Sequence, residues 1–253
     1  MTTTDFNLDT LLHFASATAL LAGEQLKLHQ QDWRQIVAEQ DRDVKVKADR
    51  LSEELILSQL QTMTPFPVLT EEAGWHEGSN AEYIWVIDPL DGSFNYQQGI
   101  PFCCVAISLV KGNEPLLGVI YDFNHNELFS ANIAQGAWLN DRPIRVSQCK
   151  ELRSSVLNTG FPARQDFSVT VMQQFTHNLQ RWRKVRMLGS AALALAYVAV
   201  GRAEAYQEQG TLFWDVAAGC ALVKAAGGQY QIEGDRFKSP LKVVATNGLV
   251  DLS

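Results

Sequence analysis

Two carboxylates, Asp88 and Asp91, close a strongly apolar run, and a glycine and a hydroxyl residue follow them. Pro89 lies between the two acids and holds Asp88 in an extended conformation. Gly92 permits a tight reversal, so both carboxylates can face one side of a bend, beside the N–H groups of Gly92 and Ser93. Carboxylates bind hard divalent cations and exposed N–H groups bind anions. This spacing favours a site for a phosphate held together with a metal ion.

Further acids stand at the ends of apolar elements. Glu71 and Glu72 follow the apolar residues 66–69, and Asp215 opens an apolar, helix-like stretch. A single Asp-Pro-x-Asp-Gly is as readily an ordinary turn with solvated acids, but three such acidic positions are hard to explain by solvation. No Lys or Arg lies within these motifs, and like charges about 4 Å apart repel by roughly 4 kcal/mol at an effective dielectric near 20. Oxygen ligands without Cys or His pairs at zinc spacing favour magnesium.

Four segments resemble the inositol monophosphatase family of magnesium-dependent, lithium-sensitive sugar and polyol phosphatases. They are residues 69–74, 85–96, 188–192 and 214–228, which occur in the order of the family's motifs. The resemblance implies an α/β fold, a layered αβαβα sandwich of the inositol monophosphatase / fructose-1,6-bisphosphatase type, and a homodimer. We expect one domain over residues 1–253. A soft division near residue 150 would separate a metal- and water-activating half (1–150) from a substrate-side half (151–253).

The resemblance also implies the ligands of two to three Mg²⁺ ions. One ion would be held by Glu71, Asp88 and the carbonyl of Leu90, and a second by Asp88, Asp91 and Asp215. Asp88 would bridge the two ions, as in other two-metal sites. In the family, Glu71 also helps to position a third, more weakly held ion. Glu72 is expected to be a solvated acid or one that supports a ligand from behind.

Asp49 and Ser93 form a second chemical pair in this comparison. Read alone, Asp49 is a first-turn acid of a predicted helix. The resemblance makes it the acceptor for the hydroxyl after Asp-Gly, which orients the attacking water, while Glu71 helps to remove the proton. Most family members carry Thr at that position; Ser93 keeps the donor and acceptor but loses a methyl group that restricts χ1. The N–H groups of Gly92 and Ser93 would hold the phosphate oxygens.

Substrate contacts are implied mainly in the second half of the chain. The implied substrate-binding residues are Gly92, Ser93, Gly189, Ser190, Ala191, Glu208 and Asp215. Glu208 matches the place where the family uses an acid to bind sugar or inositol hydroxyls, and its alternative is a surface acid on a loop. Residues 161–164 are a candidate border of the entrance. Trp85 and Trp214 are expected in the core.

The leading hypothesis is magnesium-dependent hydrolysis of a phosphate monoester of a small polyol or sugar, with inositol monophosphate as the default substrate. Fructose 1,6-bisphosphate, histidinol phosphate and 3′-phosphoadenosine 5′-phosphate are alternatives, because relatives act on each of them. The nucleotide is the least favoured, since the short chain leaves little room for a base-binding insertion. A hypothesis from a different class is a catalytically silent subunit with a regulatory or interaction role.

Composition sets the broad class. A chain of 253 residues with 46% hydrophobic content can bury a substantial core. The net charge of −7 argues against nucleic acid as a partner, and the apolar runs are too short and interrupted to span a membrane. The N-terminus carries no basic segment typical of a secretory signal. Four cysteines without a C-x-x-C motif predict reduced thiols and a cytoplasmic location.

Apolar periodicity predicts the elements that position these residues. The predicted helices are 7–29, 48–63, a short one from 93, 167–181, 190–201 and 215–226. The predicted strands are near 68, 83–87, 105–110, 117–121, 156–159, 185–188, 203–206 and 243–246, with a further meander over 127–146. Both acidic motifs of the first half therefore follow strands, and Asp49 and Asp215 begin helices.

Overall fold

The computed structural model describes residues 6–40, 43–79, 82–161 and 166–252. Seven α-helices occur in this described part of the chain: α1 (Leu8–Leu28), α2 (Gln30–Trp33), α3 (Lys47–Met63), α4 (Ser93–Gln98), α5 (Val169–Leu179), α6 (Ala191–Ala199) and α7 (Phe213–Ala225). The N-terminal five residues, on which the signal-sequence argument partly depends, lie outside the described residues.

The strands of the described segments form a hairpin and two larger sheets. In chain order they are β1 (Ile36–Gln40), β2 (Asp43–Val46), β3 (Val68–Thr70), β4 (Gly74–His76), β5 (Tyr83–Asp91), β6 (Cys104–Lys111), β7 (Glu114–Asp122), β8 (Glu127–Asn132), β9 (Gly136–Leu139), β10 (Arg142–Pro143), β11 (Val156–Thr159), β12 (Lys184–Arg186), β13 (Ala205–Thr211), β14 (Gln229–Glu233) and β15 (Leu241–Thr246). The larger sheets have the strand orders β10-β9-β8-β7-β6-β5-β3-β4 and β12-β11-β13-β15-β14.

Helices and sheets alternate in layers, as the α/β sandwich prediction requires. Helices α1 and α3 pack on one face of the eight-stranded sheet, and α6 and α7 lie between the two sheets. Strand β5 serves both interfaces because its side chains alternate. Trp85 and Ile87 join the core beneath α1 and α3, while Val86 joins the core shared with α6 and α7. This burial on both faces explains why β5 reads as a continuous apolar run.

Helix α1 shows how local sequence sets an element. The Asn7 side chain caps it by accepting from the N–H of Asp9 at 2.9 Å. Asp9 lies in the first turn and Lys27 in the last, so both charges favour the helix dipole. Its buried residues recur at helical spacing and form the stripe that faces the sheet: Leu11, Leu12, Ala15, Thr18, Ala19, Ala22, Gly23 and Leu26.

The predicted elements of the first half agree closely with the structure, and those of the second half differ mainly at their ends. The predicted helix 167–181 is Val169–Leu179, and the predicted strand 203–206 continues as β13 to Thr211. The hairpin β1–β2 and strand β14 were not predicted; each of these strands is only four or five residues long and mixes apolar with polar residues. The two large sheets divide between Pro143 and Val156, while the functional division of the chain near residue 150 stays a prediction.

Candidate active site

Parallel pairing brings two of the acidic motifs to the same edge of the large sheet. Strand β3 pairs with β5 in parallel, with Leu69 opposite Val86 and Thr70 opposite Ile87. Glu71 and Asp88 are the next residues along the two strands, so both carboxylates emerge side by side at the carboxyl end. Ligand sites of open α/β sheets commonly lie at such an edge.

An irregularity in β5 separates Asp88 from Asp91. The pairing of β5 with β6 shifts register between these two residues, where Pro89 lies. Asp88 Oδ1 accepts a hydrogen bond from the N–H of Leu90 at 3.0 Å. This bond stabilises the turn that follows Asp88. Gly92 then adopts a φ of 89° as the residue before α4. A Cβ on Gly92 would lie 2.7 Å from the Phe102 carbonyl oxygen, so this position requires glycine.

The Asp91 carboxylate is held at the start of α6. Its Oδ2 accepts from Ser190 Oγ at 2.5 Å and from the N–H of Ala192 at 2.7 Å. Ser190 also caps α6 by accepting from the N–H of Leu193 at 3.2 Å. Burial raises the pKa of Asp91 to about 6, and these hydrogen bonds act against the rise. The contact joins the two halves of the chain at the site.

Asp215 reaches the site from the first turn of α7. Its Oδ2 accepts from the N–H of Leu212 at 2.7 Å, which caps the helix. Helix α7 itself is apolar on all sides because it lies between the sheets. The carboxylate therefore stands at the exposed end of a buried element. One residue earlier, Trp214 is half-buried: it packs against the core between the sheets and also lines the cavity, so the prediction that it is a core residue is confirmed only in part. Trp85 is fully buried as predicted.

These elements enclose a cavity of about 350 Å³. Of the predicted site residues, those that line it are Glu71, Asp88, Leu90, Asp91, Gly92, Ser93, Gly189, Ser190, Ala191, Glu208 and Asp215. Phe161 also lines the cavity; the other residues of the predicted entrance segment, 162–164, lie outside the described residues. Asp49 is the one predicted residue that stands behind the wall, where it contacts Ser93.

The acids act on one another across this cavity. Burial raises the pKa of Asp88 well above its usual range, and the charges of Glu71, Asp91 and Asp215 add to the rise. The pKa of Glu71 is likewise raised by burial, then by Asp215 and Asp49. Ionising all of these groups together is unfavourable, because each charge loses water and faces like charges. A divalent cation among them would relieve both costs.

The donor chemistry of the cavity fits magnesium, because four acids line it: Glu71, Asp88, Asp91 and Asp215. Leu90 also lines the cavity, and its carbonyl group would be a further oxygen ligand. Protein donors orient the carboxylates of Asp88, Asp91 and Asp215, as described above. Within the described segments, however, no group of three or more His, Cys, Asp or Glu side chains is gathered as a ready-made metal site. The fit therefore lies in the ligand type and the shared cavity rather than in a closed coordination shell.

Asp49 combines the two functions considered from the sequence. It lies in the first turn of α3, where its Oδ2 accepts from the N–H of Val46 at 2.6 Å. Its Oδ1 lies 2.6 Å from Ser93 Oγ, which is also 2.9 Å from the carbonyl oxygen of Leu90. Burial raises the pKa of Asp49 to about 7, against the lowering effect of the Ser93 and Val46 hydrogen bonds. The Ser93 hydroxyl thus links this buried acid to the cavity.

Glu208 stands on the opposite wall, from strand β13. Burial raises its pKa to about 7. Gly160 makes room for the carboxylate, since a Cβ there would lie 3.0 Å from Glu208 Oε2. Glu208 is half-buried, but it lies on a strand and lines the cavity, so the alternative of a surface acid on a loop does not apply. The Tyr206 hydroxyl, two residues earlier on the same strand, acts on Glu208 and lowers its pKa against the effect of burial.

Two residues of the site were missed from the sequence. Asn95 donates from Nδ2 to the carbonyl oxygens of Phe102 and Leu188, at 2.7 and 2.8 Å. It thereby fastens α4 to the wall that contains Gly189. Lys45 reaches Glu72, with Nζ 2.6 Å from Oε1, so Glu72 is ion-paired rather than simply solvated. An Asn in the helix after Asp-Gly was a usable signal for the first contact; nothing in the sequence pattern indicated the second.

Comparison with known proteins agrees with this architecture. The model of the inositol monophosphatase family matches residues 7–249. The chain is 43% identical over 195 residues to the "Nus factor SuhB" of Xylella fastidiosa, which covers 76% of this chain and 70% of the relative. It is 36% identical over 258 residues to the "Inositol-1-monophosphatase" of Synechocystis sp., covering 96% of this chain and 87% of the relative.

A solved structure gives the same result for the fold. The inositol monophosphatase from Anabaena (Nostoc) sp. superposes with a TM-score of 0.83 at 38% identity and covers 96% of this chain and 92% of its own. These matches indicate a phosphatase, and magnesium dependence is general for such proteins. The resemblance noted from four short segments is therefore confirmed over nearly the whole length. The chain belongs to the inositol monophosphatase family.

Proposed function

We propose that this chain hydrolyses a phosphate monoester of a small polyol or sugar in a magnesium-dependent reaction, with inositol monophosphate as the default substrate. The observation that carries the proposal is the convergence of Glu71, Asp88, Asp91 and Asp215 on one cavity, next to the Ser93–Asp49 pair. The candidate metal ligands are all oxygens, as hydrolysis of a phosphate ester by metal-bound water requires. The glycine turn and the hydroxyl that donates to an acid would position the phosphate and the water.

The metal ligands follow from the walls of the cavity. Asp88 lines the cavity with Glu71, Asp91 and Asp215, and their charges add to the effect of burial in raising its pKa. This supports the proposal that Glu71, Asp88 and the Leu90 carbonyl would hold one ion and that Asp88, Asp91 and Asp215 would hold a second. We propose two to three ions. When bound, they would supply the positive charge that makes a water molecule acidic and stabilises the leaving alkoxide.

Side chains of the protein orient the attacking water and accept its proton. The Ser93 hydroxyl orients the attacking water. Asp49 accepts a hydrogen bond from this hydroxyl, which leaves a lone pair of Ser93 Oγ to face the cavity. Glu71, whose pKa is raised by burial and by neighbouring acids, is the group suited to take the proton from that water. No covalent intermediate on the protein is required, because water is the nucleophile.

The phosphate and the organic part of the substrate would bind at different walls. Gly92 and Ser93 line the cavity, and their N–H groups would hold the phosphate oxygens. Gly189, Ser190 and Ala191 form the wall beside Asp91, and Glu208 binds substrate hydroxyl groups from the far side. At neutral pH a carboxyl group with a pKa of about 7 is present in both forms, so Glu208 can accept or donate a hydrogen bond.

The test of this function is phosphate release by the purified chain with and without Mg²⁺. The substrates to compare are inositol 1-phosphate, fructose 1,6-bisphosphate, histidinol phosphate and 3′-phosphoadenosine 5′-phosphate. We expect magnesium-dependent release that is fastest with a small polyol or sugar phosphate. Absence of release from all four substrates would leave the catalytically silent subunit as the better hypothesis.

A second candidate function comes from the names of relatives. Several proteins at 36–43% identity are named "Nus factor SuhB", and this favours an interaction role in addition to catalysis. A pull-down with purified RNA polymerase, using the intact chain and an Asp91→Asn variant, separates the two functions. An interaction role predicts equal retention of both proteins, whereas retention of neither would contradict it.

We also propose a cytoplasmic homodimer without membrane association or direct nucleic-acid binding. None of the helices in the described segments has the length and apolarity that a bilayer span requires. The net charge of −7 opposes binding to a phosphate backbone. Light scattering after size exclusion at micromolar concentration tests the dimer, for which a mass near that of one chain, 28.2 kDa, would be the contrary result.

A further inference from the structure

Phe94 is an exposed aromatic residue in the wall of the active-site cavity. It follows Ser93 directly, is 55% exposed and lines the cavity together with the apolar residues Val44, Phe161 and Leu212. A single exposed apolar residue on an open surface needs no explanation. In a cavity it has a different meaning, because ligand sites are lined mainly by apolar and aromatic side chains with a few polar groups. Phe94 therefore offers an apolar surface to the organic part of a substrate.

Helix α4 holds the backbone of Phe94 in place. The next side chain, Asn95, donates to the carbonyl oxygen of Phe102 at 2.7 Å. The buried Tyr96 hydroxyl donates to the carbonyl oxygen of Leu26, also at 2.7 Å. An aromatic side chain has few torsions to fix, so little conformational entropy is lost when a ligand covers the Phe94 ring.

Strand β13 forms a second wall, and an irregularity turns two of its polar residues to the same side. The pairing with β15 shifts register at Gly210, which adopts a φ of 106°. Glu208 pairs with Val243, and Thr211 pairs with Leu241. Because these partners stand two positions apart on β15, Glu208 and Thr211 face the same side of the sheet. Both residues line the cavity.

This wall also has hydrogen-bonding groups that the protein does not use. Thr211 is 1% exposed, yet its Oγ1 has no hydrogen-bond partner within the described part of the chain, and the same holds for the buried Nε1 of Trp214. Both residues line the cavity. A buried polar group without a partner costs free energy, and a bond to a ligand oxygen would remove that cost.

The two walls together define the shape of the ligand. A cyclic polyol carries C–H groups across the faces of its ring and hydroxyl groups around the edge. It can therefore cover the Phe94 ring and still reach Glu208 and Thr211, whereas an open-chain polyol has no comparable apolar face. The cavity volume of about 350 Å³ is at the low end for ligand sites and suits a single ring with its phosphate.

We infer that Phe94 selects cyclic polyol phosphates: its ring packs on one face of the substrate ring, while Glu208 and Thr211 bind hydroxyl groups at the edge. Phe94 is a substrate-binding residue that takes no part in the chemical step. The inference rests on the proposed phosphatase function and narrows its substrates to polyols and sugars in ring form.

Steady-state phosphate release at saturating Mg²⁺ tests the role of Phe94, with inositol 1-phosphate as the cyclic substrate and glycerol 2-phosphate as the open-chain one. Phe94→Ala and Phe94→Leu should raise KM for inositol 1-phosphate about tenfold, with kcat and the KM for glycerol 2-phosphate changed less than about twofold. Phe94→Tyr keeps the ring and should match the wild type. The matched control is Ile100→Ala, which alters a 42% exposed residue just after α4 that is not among the described residues lining the cavity.

Thr211→Val tests the second wall, because it removes the hydroxyl and keeps the shape of the side chain. We expect KM for inositol 1-phosphate to rise about fivefold. The free energy of unfolding in EDTA, from urea denaturation, should not fall, since the hydroxyl has no protein partner to lose. A loss of stability with an unchanged KM would show that the hydroxyl is structural and would overturn its role in binding.

Two results would overturn the role of Phe94. One is a KM for inositol 1-phosphate within about twofold of wild type in folded Phe94→Ala and Phe94→Leu; circular dichroism melting identifies which variants are folded. The other is an equal rise in KM for both substrates, which would indicate a general change in the site. Wild-type protein that releases phosphate from neither substrate would contradict the proposed function, and the inference with it, so the two failures are distinguishable.

Discussion

Ser93 Oγ lies 2.6 Å from Asp49 Oδ1, across 44 residues of sequence. The contact joins the start of α4 to the first turn of α3, and the second oxygen of Asp49 is held by the N–H of Val46. Neither residue can move without disturbing a helix end. The hydroxyl that faces the cavity is therefore preorganised by an acid that does not itself line it.

Removal of this hydroxyl should reduce turnover rather than binding. Ser93→Ala is expected to lower kcat by about 10²-fold, in the range for positioned proton transfer, with KM changed less than about threefold. Ser93→Thr restores the hydroxyl and adds a χ1 restriction, so it should equal or exceed the wild type. Steady-state kinetics of the three proteins test this. A Ser93→Ala enzyme with unchanged kcat would remove Ser93 from the reaction.

The turn glycine should be irreplaceable for a steric reason. Gly92→Ala places a Cβ 2.7 Å from the Phe102 carbonyl oxygen in a residue with φ 89°, which should cost about 1–3 kcal/mol of unfolding free energy and most of the activity. Gly99→Ala is the matched control: its φ is 73° with no atom near the added Cβ. It should cost only about 1 kcal/mol and keep activity. Urea denaturation compares both; equal losses would contradict the steric argument.

Glu208 should make stability depend on pH. Its pKa is 4.5 when unperturbed and about 7 in the folded chain, so the native state holds the proton more tightly than the unfolded state. Stability from this group is greatest below the unfolded pKa and falls as pH rises from about 4.5 to about 7. Glu208→Gln removes that fall, so relative to wild type it should gain up to about 3 kcal/mol between pH 4.5 and 7.5.

Urea denaturation in EDTA at the two pH values measures this difference, and the same variant should raise KM for a polyol phosphate severalfold. Asp235→Asn changes an exposed turn acid and serves as the control with little pH-dependent difference. A stability difference between Glu208→Gln and wild type that does not vary with pH would show that the carboxyl group of Glu208 is not perturbed by folding.

The acids of the site were predictable from the sequence because each stands at the end of an apolar element. Parallel pairing of β3 with β5 then places Glu71 beside Asp88 without further information. Helix α7 likewise reads as buried, so an acid in its first turn needs a reason. The roles of these residues nonetheless came from resemblance, since two neighbouring acids do not by themselves specify a ligand order.

The remaining parts depend on contacts that sequence spacing does not encode. Lys45 reaches Glu72 from the β1–β2 hairpin, whose strands are only five and four residues long. Trp214 lines the cavity as well as packing against the core, because α7 starts beside the cavity and its first turn is only partly covered. Asn95 serves as a bridge only because α6 approaches α4. The contacts of these residues are determined by tertiary packing, which local sequence patterns do not predict.

The central claim is that Asp91 and its neighbouring acids bind the catalytic metal. Phosphate release from inositol 1-phosphate over a Mg²⁺ titration, with Asp91→Asn beside Glu54→Gln, tests it directly. Asp91→Asn keeps the size of the side chain but loses a charged ligand, so we expect kcat/KM to fall by at least about 10³-fold and the Mg²⁺ requirement to rise. Glu54→Gln alters an exposed acid of α3 and should behave as wild type. Normal magnesium-dependent turnover by Asp91→Asn would contradict the account.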